Sequence, residues 1–171
     1  MGAKKSAPAE LYGTKQVAAI LGIPEWRVKN FSEGAAYRLP PAHRVGTGRG
    51  SRRLYGWEDI FRIAIAAHLV ACGFTAEAVG MAVREIPEST LGPYEEMLRT
   101  QNPGTEGILS AKETPLLVCE RGRWRVRKAS EVGRVVRQTL RHTQSVAGLF
   151  VLNLATFCDA VFKKLYAYWS Q

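Results

Sequence analysis

The sequence has few cysteines, and the three that it has lie far apart. Cys72, Cys119 and Cys158 form no CxxC pair among the 171 residues. Disulfide frameworks and zinc sites both require cysteines, or cysteines and histidines, at short and regular spacings. We therefore expect no disulfide scaffold and no metal site, and this cysteine usage favours a reducing, cytoplasmic compartment.

The sequence also lacks a long hydrophobic run. Its most apolar stretch, residues 146–162, is interrupted by Asn153, Thr156 and Asp159. A membrane-spanning helix needs about 20 consecutive apolar residues, which this stretch does not supply. The first residues, MGAKKSAPAELYG, contain no apolar core of the kind found in a signal peptide. We expect a protein without a membrane segment, located in the cytoplasm.

Acidic residues are scarce relative to basic ones. Fifteen Asp and Glu stand against 24 Lys and Arg, which gives a formal net charge of +9. The basic excess lies in residues 1–60 and 112–171, whereas residues 61–111 are acidic on balance. Two basic segments at the two ends of the chain favour a polyanionic partner.

Catalytic groupings are missing as well. His43, His68 and His142 are isolated from one another, and no acid pair or nucleophile–base arrangement stands out. We expect neither an enzyme nor a bound cofactor. With 46% hydrophobic residues, however, the chain can bury a substantial core.

The first part of the chain has the pattern of short helices around a glycine-rich hairpin. Residues 1–10 are predicted to be a flexible tail. Thr14 is predicted to be the N-cap of a first helix, which has apolar residues at helical spacing and ends at Gly22. A second helix follows Pro24, and the joining LGIP segment makes the pair a helix-turn-helix candidate. The stretch RVGTGRGSRRLYG (44–56) predicts a turn between short strands. Two further helices complete one compact unit over residues 11–86.

The second part of the chain combines a turn-rich connector, a hairpin and an apolar helix. Residues 87–114 are predicted to be the connector, and residues 115–171 the hairpin and helical region. The helix that starts at Ser130 either continues to Trp169 or breaks near Gly148. Together with the first unit, this predicts a mainly α fold with a small amount of β structure.

The apolar stripe of the last helix predicts a homodimer interface. Its residues recur at spacings of three and four and are Phe150, Leu154, Phe157, Val161, Leu165 and Tyr168. An intramolecular core helix is the alternative. Attachment to a membrane surface through Lys163, Lys164, Tyr166 and Trp169 is a third option.

Four segments in order resemble the winged helix-turn-helix DNA-binding domain of the MerR family of bacterial transcription regulators. They are LYGTKQVAAILGI, PEWRVKNFSEG, SRRLYGWEDI and GFTAEAV. The resemblance covers somewhat under half of the chain, and Pro87 stands where the family continues into a long dimerisation helix. It implies a recognition helix in the major groove and a wing on the phosphates. The candidate DNA-binding residues are Thr14, Lys15, Trp26, Arg27, Lys29, Asn30, Arg44, Arg49, Arg52, Arg53 and Tyr55.

The arginine-rich loop and a second basic cluster allow other interpretations. A phosphate-binding P-loop would need a preceding strand and a Gly-Lys-Ser/Thr helix start, which the loop lacks, whereas a solvated surface loop stays open. Period two places Arg123, Arg125 and Arg127 on one face of a strand. That second basic face would contact phosphates, bind an anionic effector or face water.

These observations lead to a hypothesis of function. We expect a homodimeric transcription regulator that binds double-stranded DNA and is associated with the nucleoid. One alternative is an accessory DNA-binding protein of a phage or mobile element, such as an excisionase or a small packaging subunit. Another is a basic module that binds RNA or an acidic protein. The sequence identifies neither an operator nor an effector ligand.

Overall fold

The computed structural model describes residues 11–33, 37, 39, 43–45, 52–91, 113–120, 122–134 and 149–169. It describes the backbone but not the side chains of residues 43–45, 52 and 169. The predicted tail, Arg49 and most of the predicted connector lie outside these residues. Residues 88–91 and 129–134 are helical. The other elements are β1 (Tyr12–Gly13), α1 (Thr14–Leu21), α2 (Glu25–Glu33), β2 (His43–Val45), β3 (Arg52–Tyr55), α3 (Trp57–Ala71), α4 (Ala76–Arg84), β4 (Pro115–Glu120), β5 (Arg123–Lys128), β6 (Leu149–Asn153) and α5 (Leu154–Trp169).

The described part of the chain is mainly helical, with two small antiparallel sheets. This confirms the predicted combination of mainly α structure with a small amount of β. Among the described helices, none has both the length and the apolar character that crossing a bilayer requires.

A left-handed glycine separates α1 from α2, as the sequence predicts. Gly22 has a φ of 68°, which a glycine adopts without the steric penalty of a Cβ. The helix begins at Thr14, which was expected to be the N-cap. The cap is instead Gly13, whose N–H donates to Oε1 of Gln16 at 2.8 Å. Pro24 then precedes the first turn of α2, where its missing N–H leaves no helical bond unmade.

The first sheet joins the chain before α1 to the hairpin after α2. Its strand order is β1-β3-β2, with Tyr12 opposite Tyr55 and Arg44 opposite Arg53. The β2–β3 pairing confirms the predicted hairpin, whereas the two-residue strand β1 was not predicted. Directly after β3, the N–H of Gly56 donates to Oδ2 of Asp59 at 2.9 Å and starts α3.

The second sheet contains the predicted hairpin and one strand that the sequence did not predict. Its order is β5-β4-β6, and Gly122 turns the hairpin with a φ of 75°. The strand β6 occupies residues 149–153, so Phe150 is not helical and the expectation that it lies on the apolar helix is wrong. The N–H of Thr156 donates to Oδ1 of Asn153 at 3.1 Å, and this bond caps the start of α5.

The apolar stripe of α5 is buried within its own chain. Leu154, Val161 and Leu165 are at most 5% exposed, and α5 packs on α1, α3 and β4. Phe157 is half-buried against the ring of His68, with centroids 5.2 Å apart, and Tyr168 is also half-buried. The three fully covered side chains are core residues and present no surface to a second subunit. This corrects the expectation that they form the dimer interface, and the homodimer itself stays a prediction.

Candidate nucleic-acid interface

The solvent-facing side of α2 carries an aromatic, a basic and an amide side chain together. Trp26, Lys29 and Asn30 are all exposed, and their i, i+3, i+4 spacing puts them on one face of the helix. The opposite face holds the helix in place, because Val28 and Phe31 are almost completely buried. The helix therefore presents a polar surface on a rigid support.

Trp26 and Arg27 form a pair at the start of this surface. Trp26 is 62% exposed, which makes it the most exposed large hydrophobic side chain among the described residues. The guanidinium carbon of Arg27 lies 5.5 Å from the centroid of the indole ring, within the range of a cation–π contact. The indole thus holds the half-buried arginine beside the exposed face of α2.

The first turn of α1 adds two more of the predicted residues. Lys15 is exposed and Thr14 is half-buried at the N-terminal end of the helix, and α1 packs directly on α2. Free N–H groups and the helix dipole favour an anion at such an end. This end of α1 is therefore favourable for a phosphate group.

Arg53 is engaged with a carboxylate in the free chain. Its guanidinium forms an ion pair with Glu33, the last residue of α2, and both side chains are only partly exposed. The pair links the end of the second helix to β3. Arg44 stands opposite Arg53 and Val45 opposite Arg52 in the backbone register. The side chains of Arg44 and Arg52 lie outside the described structure, as does Arg49.

Tyr55 is a core residue, so its predicted role in DNA binding is wrong. The side chain is 0% exposed, and its hydroxyl lies 3.0 Å from Oγ of Ser32. Ser32 directs its own hydrogen to the carbonyl oxygens of Val28 and Lys29, each at 3.1 Å. The tyrosine is therefore the donor in the bond between the two hydroxyls. Ser32 and Glu33, which hold β3 against α2, are residues that the sequence analysis missed.

The second basic face has the alternation that the sequence predicts. Arg123 and Arg125 are exposed and Arg127 is half-buried, whereas Trp124 between them is 5% exposed. Trp124 packs edge-on against Phe74 at 5.0 Å between centroids, and this contact fixes which face of β5 is inward. At the end of β5, Nζ of Lys128 lies 2.5 Å from Oε2 of Glu113, and this hydrogen bond raises the pKa of the lysine.

The cysteines differ in environment. Burial raises the pKa of the Cys158 thiol to about 12, and burial also raises the pKa of Cys119. Cys72 is exposed at the end of α3, with its sulfur 3.7 Å from Nε2 of His68. Within the ranges that the structure covers, no three His, Cys, Asp or Glu side chains are grouped so that they could hold a metal ion.

No protein-family model matches the chain, and no curated protein sequence matches it.

Proposed function

We propose that the chain binds double-stranded DNA through a winged helix-turn-helix and acts as a transcription regulator. The observation that carries the proposal is the outer face of α2. It follows a glycine turn of the helix-turn-helix type and exposes Trp26, Lys29 and Asn30 on one side. The overall charge of +9 supports a polyanionic partner.

In this proposal each group has a role that its chemistry allows. Helix α2 enters the major groove, where the amide of Asn30 can pair with an adenine edge through two hydrogen bonds. Arg27 and Lys29 contact phosphates or guanine edges from the same helix. The β2–β3 hairpin with its arginines acts as the wing on the DNA backbone. The order of these elements is also that of the MerR-like domain that the sequence resembles.

A regulator of this kind would bind as a homodimer to two half-sites. Half-sites of dimeric helix-turn-helix proteins lie about 34 Å apart, which is one turn of the duplex. Because Leu154, Val161 and Leu165 are buried inside one chain, the dimer contact must use other surfaces.

The first experiment is a fluorescence anisotropy titration of a mixed-sequence duplex over a series of salt concentrations. We expect log K to fall steeply with log salt for the wild type. The slope should become shallower by about 0.9 for each phosphate contact that Arg27→Ala/Lys29→Ala removes. This double variant changes one exposed and one half-buried side chain of α2 and leaves the buried Val28 and Phe31 in place, so the fold should persist in circular dichroism.

The matched control is Lys163→Ala/Lys164→Ala, which removes the same two charges from the exposed side of α5. Its salt slope should equal that of the wild type. If the wild type binds no duplex at low salt, the proposal fails. It also fails if the salt slope becomes shallower by the same amount in both double variants, because the binding would then depend on net charge alone.

A single-stranded RNA of equal length is the most informative second ligand. The exposed indole of Trp26 favours it, since unpaired bases stack on aromatic side chains. If Trp26→Ala weakens the RNA complex and leaves duplex binding unchanged, RNA binding replaces the proposed function. The winged-helix proposal predicts tighter binding of the duplex than of the RNA.

A further inference from the structure

An open groove of about 740 Å³ runs along one side of β5. Residues 122–127 form one wall, and the last turn of α4 with Pro87 forms the other. Consecutive residues of β5 line the groove, although their side chains alternate between two faces. The groove therefore follows the edge of the strand and is not confined to one of its faces.

The edge that faces the groove has no strand partner among the described residues. The second sheet has the order β5-β4-β6, so β5 pairs on one side only. An unpaired edge presents a row of N–H and C=O groups that can accept another extended chain. Six residues at about 3.3 Å per residue give a docking edge of about 20 Å.

The charge of the groove selects its ligand. Among the described residues, four arginines line it, at positions 84, 123, 125 and 127, and Glu85 is the one acidic residue in this part of the lining. Nε of Arg84 donates to the carbonyl oxygen of Gly80 at 2.9 Å, and this bond fixes the position of its guanidinium. Arg123 and Arg125 extend from the exposed face of the strand. An acidic ligand complements this arrangement.

The groove also has an apolar side. Met81 on α4 is 40% exposed, so its side chain is accessible to a ligand in the groove. It lines the same groove as the half-buried Val126. Side chains alternate along β5, so Trp124 and Val126 lie on one face of the strand and Arg123 and Arg125 lie on the other. The fourth arginine of the groove, Arg84, lies on α4 together with Met81.

We propose that this groove binds an extended segment of a partner protein, in which acidic and apolar residues alternate, by adding it as a strand to β5. Side chains of neighbouring strands that lie opposite each other share a face of the sheet. The acidic residues of the segment would therefore meet Arg123 and Arg125. Its apolar residues would cover Met81 and Val126.

Two other occupants fit the groove less well. A second copy of β5 would place arginines against arginines on one face, and like charges opposite each other destabilise a sheet. A nucleic-acid backbone complements the charge, but it supplies neither peptide groups for the strand edge nor an apolar side chain for Met81. The alternating peptide uses all three features of the groove.

The test is anisotropy of a fluorescein-labelled Glu-Val-Glu-Val-Glu-Val peptide with the full chain. It should bind more tightly than Glu-Glu-Glu-Val-Val-Val, which has the same composition.

Two N-methylated versions of the alternating peptide, one methylated at the valine amides and one at the glutamate amides, test the backbone contacts. Alternate N–H groups of a paired strand point to the same edge. One version should therefore bind about tenfold or more weakly, because it loses up to three hydrogen bonds, and the other should bind like the parent.

Arg125→Ala should weaken binding of the parent Glu-Val-Glu-Val-Glu-Val peptide, whereas Arg134→Ala should leave it unchanged. Both residues are exposed arginines, and Arg134 lies outside the groove. Equal binding of the alternating and block peptides, with no effect of methylation, would show simple charge attraction and overturn the proposal. A second result would also overturn it. In that result the wild type binds no peptide, and the triple variant Arg123→Ala/Arg125→Ala/Arg127→Ala binds duplex DNA more weakly than the wild type does. The DNA-binding proposal is tested separately by the α2 variants, so failure of one leaves the other standing.

Discussion

Arg53 and Tyr55 are two residues apart on β3, and their side chains therefore lie on the same face of the strand. That face packs on the end of α2, where Tyr55 meets Ser32 and Arg53 meets Glu33. Both residues are predicted DNA contacts because the segment SRRLYGWEDI resembles a wing, and that resemblance takes no account of the face on which each side chain lies. Since Tyr55 is completely buried, the period-two rule explains why its neighbour on that face is turned toward the protein.

We expect Tyr55→Phe to lower the free energy of unfolding by about 1 kcal/mol, the usual net value of one hydrogen bond. Ser32 keeps its bonds to the carbonyl oxygens of α2, so no buried donor is left without an acceptor. Urea denaturation measures the loss. Tyr55→Ala should cost about 3 kcal/mol or more, because it also opens a cavity.

Duplex affinity is the second readout of Tyr55→Phe. It should equal that of the wild type under conditions in which both proteins are folded, because the hydroxyl points into the core. If Tyr55→Phe binds the duplex more weakly than the wild type while its salt slope is unchanged, the hydroxyl is a DNA contact. That result would contradict the burial argument.

At the scale of elements, Gly80 determines how closely α4 approaches the chain after α2. It lies in the interior of a helix, where glycine is about 1 kcal/mol less favourable than alanine. A Cβ at this position would overlap the backbone carbonyl of Tyr37. Backbone cannot move aside as a flexible side chain can, so packing outweighs helix propensity here.

We therefore expect Gly80→Ala to destabilise the protein by about 1–3 kcal/mol, the range for overpacking a core. The matched control is Gly133→Ala in the helical residues 129–134. A Cβ there meets no atom within 4 Å, so the change should be neutral or stabilising by up to about 1 kcal/mol. Thermal unfolding should show a lower midpoint for Gly80→Ala and an equal or higher midpoint for Gly133→Ala. A stabilising Gly80→Ala would contradict the close approach of α4.

The elements that the sequence predicted are those with local signals. Gly22 and Gly122 have positive φ angles, and Thr75 accepts a hydrogen bond from the N–H of Ala78 at 3.3 Å. Each of these signals acts within a few residues of the boundary that it sets. For this reason α1, α2, α4 and the β4–β5 hairpin could be placed from the sequence.

The elements that the sequence missed depend on distant partners. Strand β1 is two residues long and pairs with β3, which is about 40 residues away in the chain. Strand β6 is the run LFVLN, whose apolar residues fit a buried strand and a buried helix equally well. Its pairing with β4 decides between the two. The candidate site was likewise predictable on α2, where the helical face is local, and not at Tyr55.

At the scale of the whole molecule, the last helix is part of the same core as the first two. One hydrophobic cluster contains Val17 and Val28 together with Cys158, Phe162 and Leu165. The width of an apolar stripe shows that a helix is covered on most sides. It does not show whether its own chain or a partner covers it. The contacts of α5 with α1 and α3 provide this cover within one chain.

Because Cys158 lies in this shared core, the free energy of unfolding of the whole molecule should fall as the pH becomes alkaline. Burial raises its pKa from an ordinary value of 9.0 to about 12, since the thiolate is poorly solvated there. The unfolded chain therefore releases this proton at a lower pH than the folded chain does. The contribution of the buried, protonated thiol to the free energy of unfolding is therefore fully present below pH 9. It is lost between pH 9 and about 12, by at most about 1.4 kcal/mol per pH unit.

Urea denaturation of wild type and Cys158→Ala between pH 8 and about 11 isolates this effect, because all other titrating groups are common to both proteins. We expect the free energy of unfolding of the wild type to fall more steeply with pH. Cys72→Ala removes an exposed thiol and should follow the wild-type curve. The slopes decide the question, so any constant loss of packing energy in Cys158→Ala does not affect it. Parallel curves for wild type and Cys158→Ala would mean that the thiol of α5 is accessible to water, and that this helix does not close the core as described.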